Sequence, residues 1–128
     1  MVNIVYTLLI ALGAIAIYIV ITQLIQRRYL KTLTEEEFKE GYRKAQLIDV
    51  REPDEFDRGH ILGARNIPLT QMRTRKQEIR TDKPVYIYCQ NSFRCARAAS
   101  TLHKLGCKDI NQLQGGFRKW GGRIKKKN

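Results

Sequence analysis

Cys89 occupies a position in the sequence that predicts a reactive thiol. It directly follows Val85–Tyr88, a run of four β-branched or aromatic residues that is typical of a buried strand. Four residues separate it from Arg94, where helical spacing begins. A tight loop that enters a helix points backbone N–H groups at an anion, and the thiolate is the nucleophilic form of cysteine. The pattern therefore predicts a nucleophilic Cys89 inside an anion-binding loop.

The five residues after the cysteine form that loop and are the candidate substrate-binding residues. They are Gln90, Asn91, Ser92, Phe93 and Arg94. Arg94 adds a fixed positive charge and a forked hydrogen-bond donor. Ligands of open α/β sheets bind beyond the carboxyl ends of the strands, which is where this loop lies in the predicted order of elements.

Short strands and helices alternate around the loop. We expect strands over residues 45–50, 64–67, 85–88 and 109–113, and helices over 34–40, 54–58, 69–79 and 94–105, with a last helical turn over 117–120. Thr34 and Glu37 form a capping-box pattern at the first of these helices. This alternation predicts an α/β fold with a parallel sheet flanked by helices on both faces.

An ordered set of motifs resembles the rhodanese family. The set comprises Asp-Val-Arg at 49–51, Glu-Phe at 55–56, Gly-His-Ile-Leu-Gly-Ala at 59–64, Asn-Ile-Pro at 66–68, and Gly-Gly at 115–116 followed by Trp120. The stretch 89–94 falls where that family keeps its active-site loop. The resemblance spans about residues 33–121. One departure is Ser92, since many members have glycine at that loop position.

The resemblance implies a rhodanese-type sulfurtransferase. Cys89 would carry a sulfane sulfur as a persulfide, taken from a small anionic donor such as thiosulfate or from another persulfide, and pass it to a thiol or cyanide. No metal and no organic cofactor is implied. The related dual-specificity phosphatases resemble Cys-x5-Arg, one residue longer than the loop here, so phosphatase or arsenate reductase chemistry is the less favoured reading.

Three further residues are predicted to support the site: Asp49, Arg51 and His60. Asp49 and Arg51 either face the substrate or form ion pairs that fix the loop after their strand. His60 is either a general base or a packed polar residue at a turn.

Two other cysteines carry alternative readings. Cys95 either resolves the persulfide as a disulfide with Cys89 or is a small buried residue, and Cys107 is expected to be structural. Zinc binding by the cysteines and His103 is disfavoured, because their spacing lacks the Cys-x2–4-Cys knuckle of structural zinc sites.

Residues 1–26 carry no charged side chain, whereas all 24 Lys and Arg and all 12 Asp and Glu lie in 27–128. A bilayer-spanning helix needs ~20 mostly apolar residues, so we predict a transmembrane anchor over 1–26. A cleaved signal peptide and a buried core helix are the alternatives. Arg27, Arg28 and Lys31 follow the span, which predicts a single-pass protein of the cell membrane with its N-terminus outside and its domain in the cytoplasm. Three cysteines in so short a chain also suit a reducing compartment.

The remaining chain divides into a basic juxtamembrane linker (27–32), a rhodanese-like domain (33–122) and a basic tail (123–128). The net charge of +12 does not indicate nucleic-acid binding, because the charges are dispersed and no such motif occurs. The basic runs either face anionic lipid or form a solvated surface. The alternative to the enzyme is a non-catalytic rhodanese-like module that recruits a partner to the membrane.

Overall fold

The protein is described by a computed structural model that covers residues 1–90 and 92–127, with the backbone alone at positions 92 and 93. Its strands, in chain order, are β1 (Leu30–Leu33), β2 (Gln46–Asp49), β3 (His60–Ile61), β4 (Arg65–Asn66), β5 (Val85–Tyr88), β6 (Ile110–Leu113) and β7 (Ile124–Lys125). Five of them form a parallel sheet in the order β1-β6-β5-β2-β4, while β3 and β7 form a separate antiparallel pair. The strand that precedes Cys89 is therefore central in the sheet.

Four helices accompany the strands: α1 (Val2–Tyr29), α2 (Glu35–Gly41), α3 (Pro53–Arg58) and α4 (Ser92–Lys104). Thr34 caps α2 with the predicted capping box, and Pro53 opens α3 at a position where its missing N–H costs nothing. The predicted parallel sheet with helices on both faces is confirmed.

Hydrophobic cores lie on both faces of the sheet, because side chains alternate along each strand. In β5, Val85 and Ile87 face the core that contains α4. Tyr88 faces the opposite core, which contains Phe38 of α2. The strand is thus covered on both faces, and the loop that follows it begins at the buried centre of the domain.

The segment expected as a basic linker over residues 27–32 is not a loop. Arg27 and Arg28 belong to the last turn of α1, where cations interact favourably with the helix dipole, and β1 begins at Leu30 without an intervening loop. β1 pairs along its whole length with β6. Backbone pairing at the sheet edge outweighs the charge pattern that suggested a linker.

α1 has 28 residues and buries none of its side chains. It is long and apolar enough to cross a membrane.

The single helix predicted over residues 69–79 is also wrong. The segment forms two 3₁₀ turns, Leu69–Gln71 and Lys76–Glu78. Between them the Arg75 side chain donates to the Asn66 carbonyl at 3.0 Å and to the Glu78 carboxylate at 2.6 Å. These tertiary hydrogen bonds, with the weak helix propensity of the threonines, override the helical pattern.

The basic tail expected over residues 123–128 is partly ordered by pairing. Ile124 and Lys125 form β7 against β3, and the Lys127 N–H donates to the Asp57 carbonyl at 2.9 Å. The pairing supplies partners for the backbone of both segments, a contact between positions about sixty residues apart that local sequence does not reveal.

Candidate functional site

Cys89 lies directly after β5 and is completely buried, with 0% of its surface exposed. Its carbonyl accepts a hydrogen bond from the Phe117 N–H at 2.8 Å. Gly116 makes this approach possible: its φ is +68°, and a Cβ there would lie 2.6 Å from the Cys89 carbonyl oxygen and 2.7 Å from that of Gln90. The first two residues of the loop are therefore held against a glycine turn from the other end of the chain.

The sulfur of Cys95 contacts the sulfur of Cys89. The two Sγ atoms are 2.6 Å apart, and Cys95 is 1% exposed. The hydrogen bond from Cys95 is the main cause that lowers the pKa of Cys89; burial opposes it, and the charge of Arg94 assists it. The same contact and burial raise the pKa of Cys95 well above its usual range. The contact thus favours the thiolate form of Cys89 over that of Cys95.

Arg94 lies on α4 and forms an ion pair with Glu55 of α3. Its Nη1 atom is 2.6 Å from Glu55 Oε1, and the Arg94 side chain is 44% exposed. This ion pair raises the pKa of Arg94. The charge predicted to serve the loop is thereby shared with a carboxylate that the sequence analysis did not assign to the site.

Asp49 and Arg51 form a buried, bidentate ion pair. Arg51 Nη2 lies 2.7 Å from Asp49 Oδ2, and both side chains are 3% exposed or less. Arg51 also donates through Nη1 to Gln90 Oε1 at 3.1 Å and through Nη2 to the Gly59 carbonyl at 2.6 Å. One guanidinium thus connects the end of β2 to the first loop residue after the cysteine.

Aromatic rings cover the faces of this guanidinium. The Arg51 Cζ atom lies 4.3 Å from the ring centroid of Phe117 and 5.6 Å from that of Tyr88. Tyr88 is buried, and its hydroxyl accepts a hydrogen bond from the Ile61 N–H at 3.0 Å. Burial and the nearby Asp49 raise the pKa of Tyr88 far above its usual range, so its hydroxyl stays neutral. These contacts hold Arg51 rigidly beside the loop.

An open pocket of about 270 Å³ adjoins the loop. Its lining residues are Arg51, Glu55, Arg58, Gly59, Gln90 and Phe117. Each of its two arginines is also paired with a carboxylate, Arg51 with Asp49 and Arg58 with Asp54.

His60 does not take part in this cluster of contacts. Its Nδ1 atom lies 2.8 Å from the Phe56 carbonyl, and its ring stacks on Phe56 with 3.6 Å between the centroids. These contacts are those of a packed polar residue at the start of β3.

Three predicted loop residues lie partly or wholly beyond what the structure describes. Asn91 is outside the described residues, as are the side chains of Ser92 and Phe93; Ser92 is the first residue of α4. Of the predicted substrate-binding residues, Gln90 and Arg94 have described side chains. Gln90 accepts a hydrogen bond from Arg51 and Arg94 donates one to Glu55, and both of these partners line the pocket.

The sequence alone assigned no role in the site to Glu55 or Phe117, and it left a Cys89–Cys95 contact as one of two readings of Cys95. Glu55 and Gly116 stood within the quoted motifs, which was the available signal. A weaker signal pointed to the contact between the two sulfurs. Cys95 lies in the first turn of the helix that follows the loop, so the position of the helix start sets its distance from Cys89.

Comparison with known proteins places these residues in a wider group. The sequence model of the family described as "Rhodanese-like domain" matches residues 34–123. "Uncharacterized protein YqhL" of Bacillus subtilis (strain 168) is 66% identical over 119 residues, 93% of this chain and 94% of that protein. "Putative thiosulfate sulfurtransferase, mitochondrial" of Schizosaccharomyces pombe is 35% identical over 100 residues, 68% of this chain and 70% of that protein. The crystal structure of a rhodanese-related protein from Thermoplasma volcanium superposes with a TM-score of 0.67 at 28% identity, covering 74% of this chain and 97% of that one.

Proposed function

The chain belongs to the family of rhodanese-like domains, and from that premise we propose that it is a sulfurtransferase whose sulfur carrier is Cys89. The donor is a sulfane sulfur compound such as thiosulfate or a persulfide, and the acceptor is a thiol or cyanide. The proposal requires one ionised thiol at the carboxyl end of the central strand.

The observation that carries the proposal is the position of Cys89 at the carboxyl end of the central strand, with Cys95 Sγ 2.6 Å from its sulfur. A thiolate is the nucleophile in sulfur exchange, and the contact with Cys95 lowers the pKa of Cys89 despite its burial.

The reaction proceeds in two displacements. The Cys89 thiolate attacks the outer sulfur of thiosulfate; an S–S bond forms on Cys89, the S–S bond of thiosulfate breaks, and sulfite leaves with the electron pair. The acceptor then attacks the outer sulfur of the persulfide, which restores the Cys89 thiolate. The charge of Arg94 stabilises the anionic sulfur in both steps, as positioned donors do for developing charge.

The pocket beside the loop is the place where a donor would approach. Arg51 and Arg58 line it, and Gln90 connects it to Cys89 through one peptide bond.

The complete burial of Cys89 is the observation that favours a second function. A rhodanese-like module that only recruits a partner to the membrane has no need of an accessible thiol. For catalysis, the donor must displace the groups that cover the sulfur.

One assay separates the two functions. The full-length chain in detergent micelles is given thiosulfate and cyanide, and thiocyanate formation is compared among the wild type, Cys89→Ser and Cys107→Ser. Cys107 is also buried, at 1% exposure, so it controls for loss of a core thiol. We expect thiocyanate formation by the wild type and Cys107→Ser and none above background by Cys89→Ser. Background rates in all three proteins leave the recruiting module, and equal rates above background refute Cys89 as the sulfur carrier.

We also propose that α1 anchors the protein in the cell membrane with the domain in the cytoplasm. The helix has no buried side chain and is followed by Arg27 and Arg28, as the positive-inside rule requires for this orientation. Carbonate extraction of membranes tests the anchor, and protease digestion of intact cells tests the orientation. Release by carbonate, or cleavage of the domain from outside, contradicts the respective part.

A further inference from the structure

We propose that Cys95 is a resolving cysteine: it attacks the Cys89 persulfide, closes a Cys89–Cys95 disulfide and releases the transferred sulfur as sulfide. This adds a second outlet for sulfur besides transfer to a thiol or cyanide. It rests on the proposed function, because it begins from the Cys89 persulfide.

Proximity carries the inference. The Sγ atoms of Cys89 and Cys95 are 2.6 Å apart, and both residues lie in the same buried cluster. Cys95 belongs to the first turn of α4, so the helix holds its sulfur at the end of the loop that carries Cys89. A nucleophile held this close reacts with an effective concentration of up to ~10⁵–10⁸ M in well-oriented cases.

Burial gives this attack an advantage over external acceptors. Cys89 is 0% exposed and Cys95 is 1% exposed. An external thiol has to displace protein groups to reach the persulfide, whereas Cys95 is already in contact with the inner sulfur. When acceptors are scarce, the internal reaction is the faster way to discharge the carrier.

The step balances without an external oxidant. Cys95 Sγ forms a bond to Cys89 Sγ while the bond between Cys89 Sγ and the outer sulfur breaks, and the outer sulfur leaves with the electron pair. The proton of Cys95 passes to it, so a persulfide anion and a thiol become a disulfide and hydrosulfide. The outer sulfur is reduced to sulfide and the two cysteines are oxidised.

Cys95 attacks as it loses its proton, because the thiolate is the nucleophile. The contact with Cys89 and burial raise the pKa of Cys95 in the reduced protein, and conversion of Cys89 to a persulfide moves the negative charge from the adjacent sulfur to the outer one. The proton that Cys95 gives up is the one that the departing sulfide takes. A dithiol reductant returns the disulfide to two thiols, and the sum over a cycle is thiosulfate plus dithiol giving sulfite, sulfide and the oxidised dithiol.

Cys107 supplies a matched control. It is a third buried thiol, with an N–H that donates to the Leu102 carbonyl at 3.0 Å, near the opposite end of α4 from Cys95. If any buried cysteine could resolve the persulfide through unfolding or exchange between molecules, Cys107 would contribute as much as Cys95.

The test follows the persulfide by intact-protein mass spectrometry without reductant. The reduced full-length chain in detergent micelles is charged with thiosulfate in one arm and with inorganic polysulfide in another. The donor is removed, and aliquots are quenched with an alkylating reagent while released sulfide is measured. The proteins are the wild type, Cys95→Ser, Cys95→Ala and Cys107→Ser.

We expect the wild type and Cys107→Ser to lose the added sulfur and two hydrogen atoms, with one sulfide released per chain and a Cys89–Cys95 disulfide in the peptide map. In Cys95→Ser and Cys95→Ala the persulfide should last at least about tenfold longer, since the intramolecular nucleophile is gone. Serine retains a hydroxyl donor to Cys89, so agreement between the two variants excludes loss of the hydrogen bond as the cause.

Other outcomes overturn the inference in distinguishable ways. Equal persulfide lifetimes in the wild type and both Cys95 variants, or a disulfide that contains Cys107, refute the resolving role. If thiosulfate adds no sulfur to any variant, the proposed donor chemistry has failed; the polysulfide arm then decides the role of Cys95 by the same comparison.

Discussion

Arg94, the charged residue at the end of the predicted anion loop, forms an ion pair with Glu55 in which Nη1 and Oε1 are 2.6 Å apart. Glu55 also lines the pocket beside the loop. The proposed enzyme therefore carries a carboxylate at the place where its anionic donor would approach. Glu55 offsets part of the positive charge that attracts the donor, and this sets the first prediction.

Replacing Glu55 with glutamine should lower the KM for thiosulfate by about two- to fivefold, in keeping with the ~0–1 kcal/mol of a partly exposed ion pair. Glutamine keeps the oxygen that accepts from the Glu52 N–H in the cap of α3. KM is measured in the thiocyanate assay at low and high salt, and the difference should shrink at high salt. Glu36→Gln on the exposed side of α2 is the control, and an unchanged or higher KM in Glu55→Gln refutes the prediction.

The pH dependence of catalysis should report the thiolate of Cys89. Its pKa is lowered chiefly by the hydrogen bond from Cys95, so kcat/KM should fall as the pH drops through that lowered pKa and level off above it. In Cys95→Ala the fall should begin at higher pH, because the main stabiliser of the thiolate is gone. Cys95→Ser should lie between the two, and coincident profiles for alanine and wild type would count against this account.

Asp49→Asn should destabilise the domain by about 3–5 kcal/mol, because it leaves the Arg51 guanidinium buried without a counter-charge. Asp54→Asn is the matched control: its partner is Arg58 and its side chain is 68% exposed, so the cost should stay below ~1 kcal/mol. Urea unfolding followed through Trp120, the single tryptophan, measures both. Similar losses of unfolding free energy in the two variants would show that other groups compensate the buried charge of Arg51.

Gly116→Ala should displace the first loop residues. The added Cβ would crowd the carbonyl oxygens of Cys89 and Gln90, and the φ of +68° is strained for alanine. We therefore expect the free energy of unfolding to fall by about 1–3 kcal/mol. Thiocyanate formation should be lost at temperatures where the domain remains folded. Gly106→Ala shares the strained backbone, with φ at +106°, but its nearest contact would be an ordinary 3.5 Å to Thr81. Retained activity in Gly106→Ala and its loss in Gly116→Ala separate crowding of the loop from backbone strain.

Local patterns predicted the elements whose signal lies within a few residues. Val85–Tyr88 is a strand with the predicted bounds, and Thr34 caps α2 as its spacing with Glu37 indicated. β1 and β7 were missed because their pairing partners lie far away in sequence, and short polar segments become strands only when a neighbouring edge accepts them.

The site divides in the same way. The position of Cys89 follows from one strand and one helix, so the sequence sufficed to single it out. Its burial and the ion pair between Arg94 and Glu55 depend on how α3, α4 and the turn at Gly116 pack together. Such contacts are decided by tertiary packing, which spacing along the chain does not encode.

Because β1 follows α1 directly, no flexible linker separates the helix from the domain. Two contacts brace the junction: Gln26 Nε2 donates to the Ala96 carbonyl at 3.0 Å, and the rings of Tyr29 and His103 stack at 4.1 Å. In a bilayer the domain would tilt and rotate only together with its helix. A partner could then meet the sulfur site in a narrow range of poses, and an inserted flexible spacer at position 30 would remove that restriction along with the edge strand.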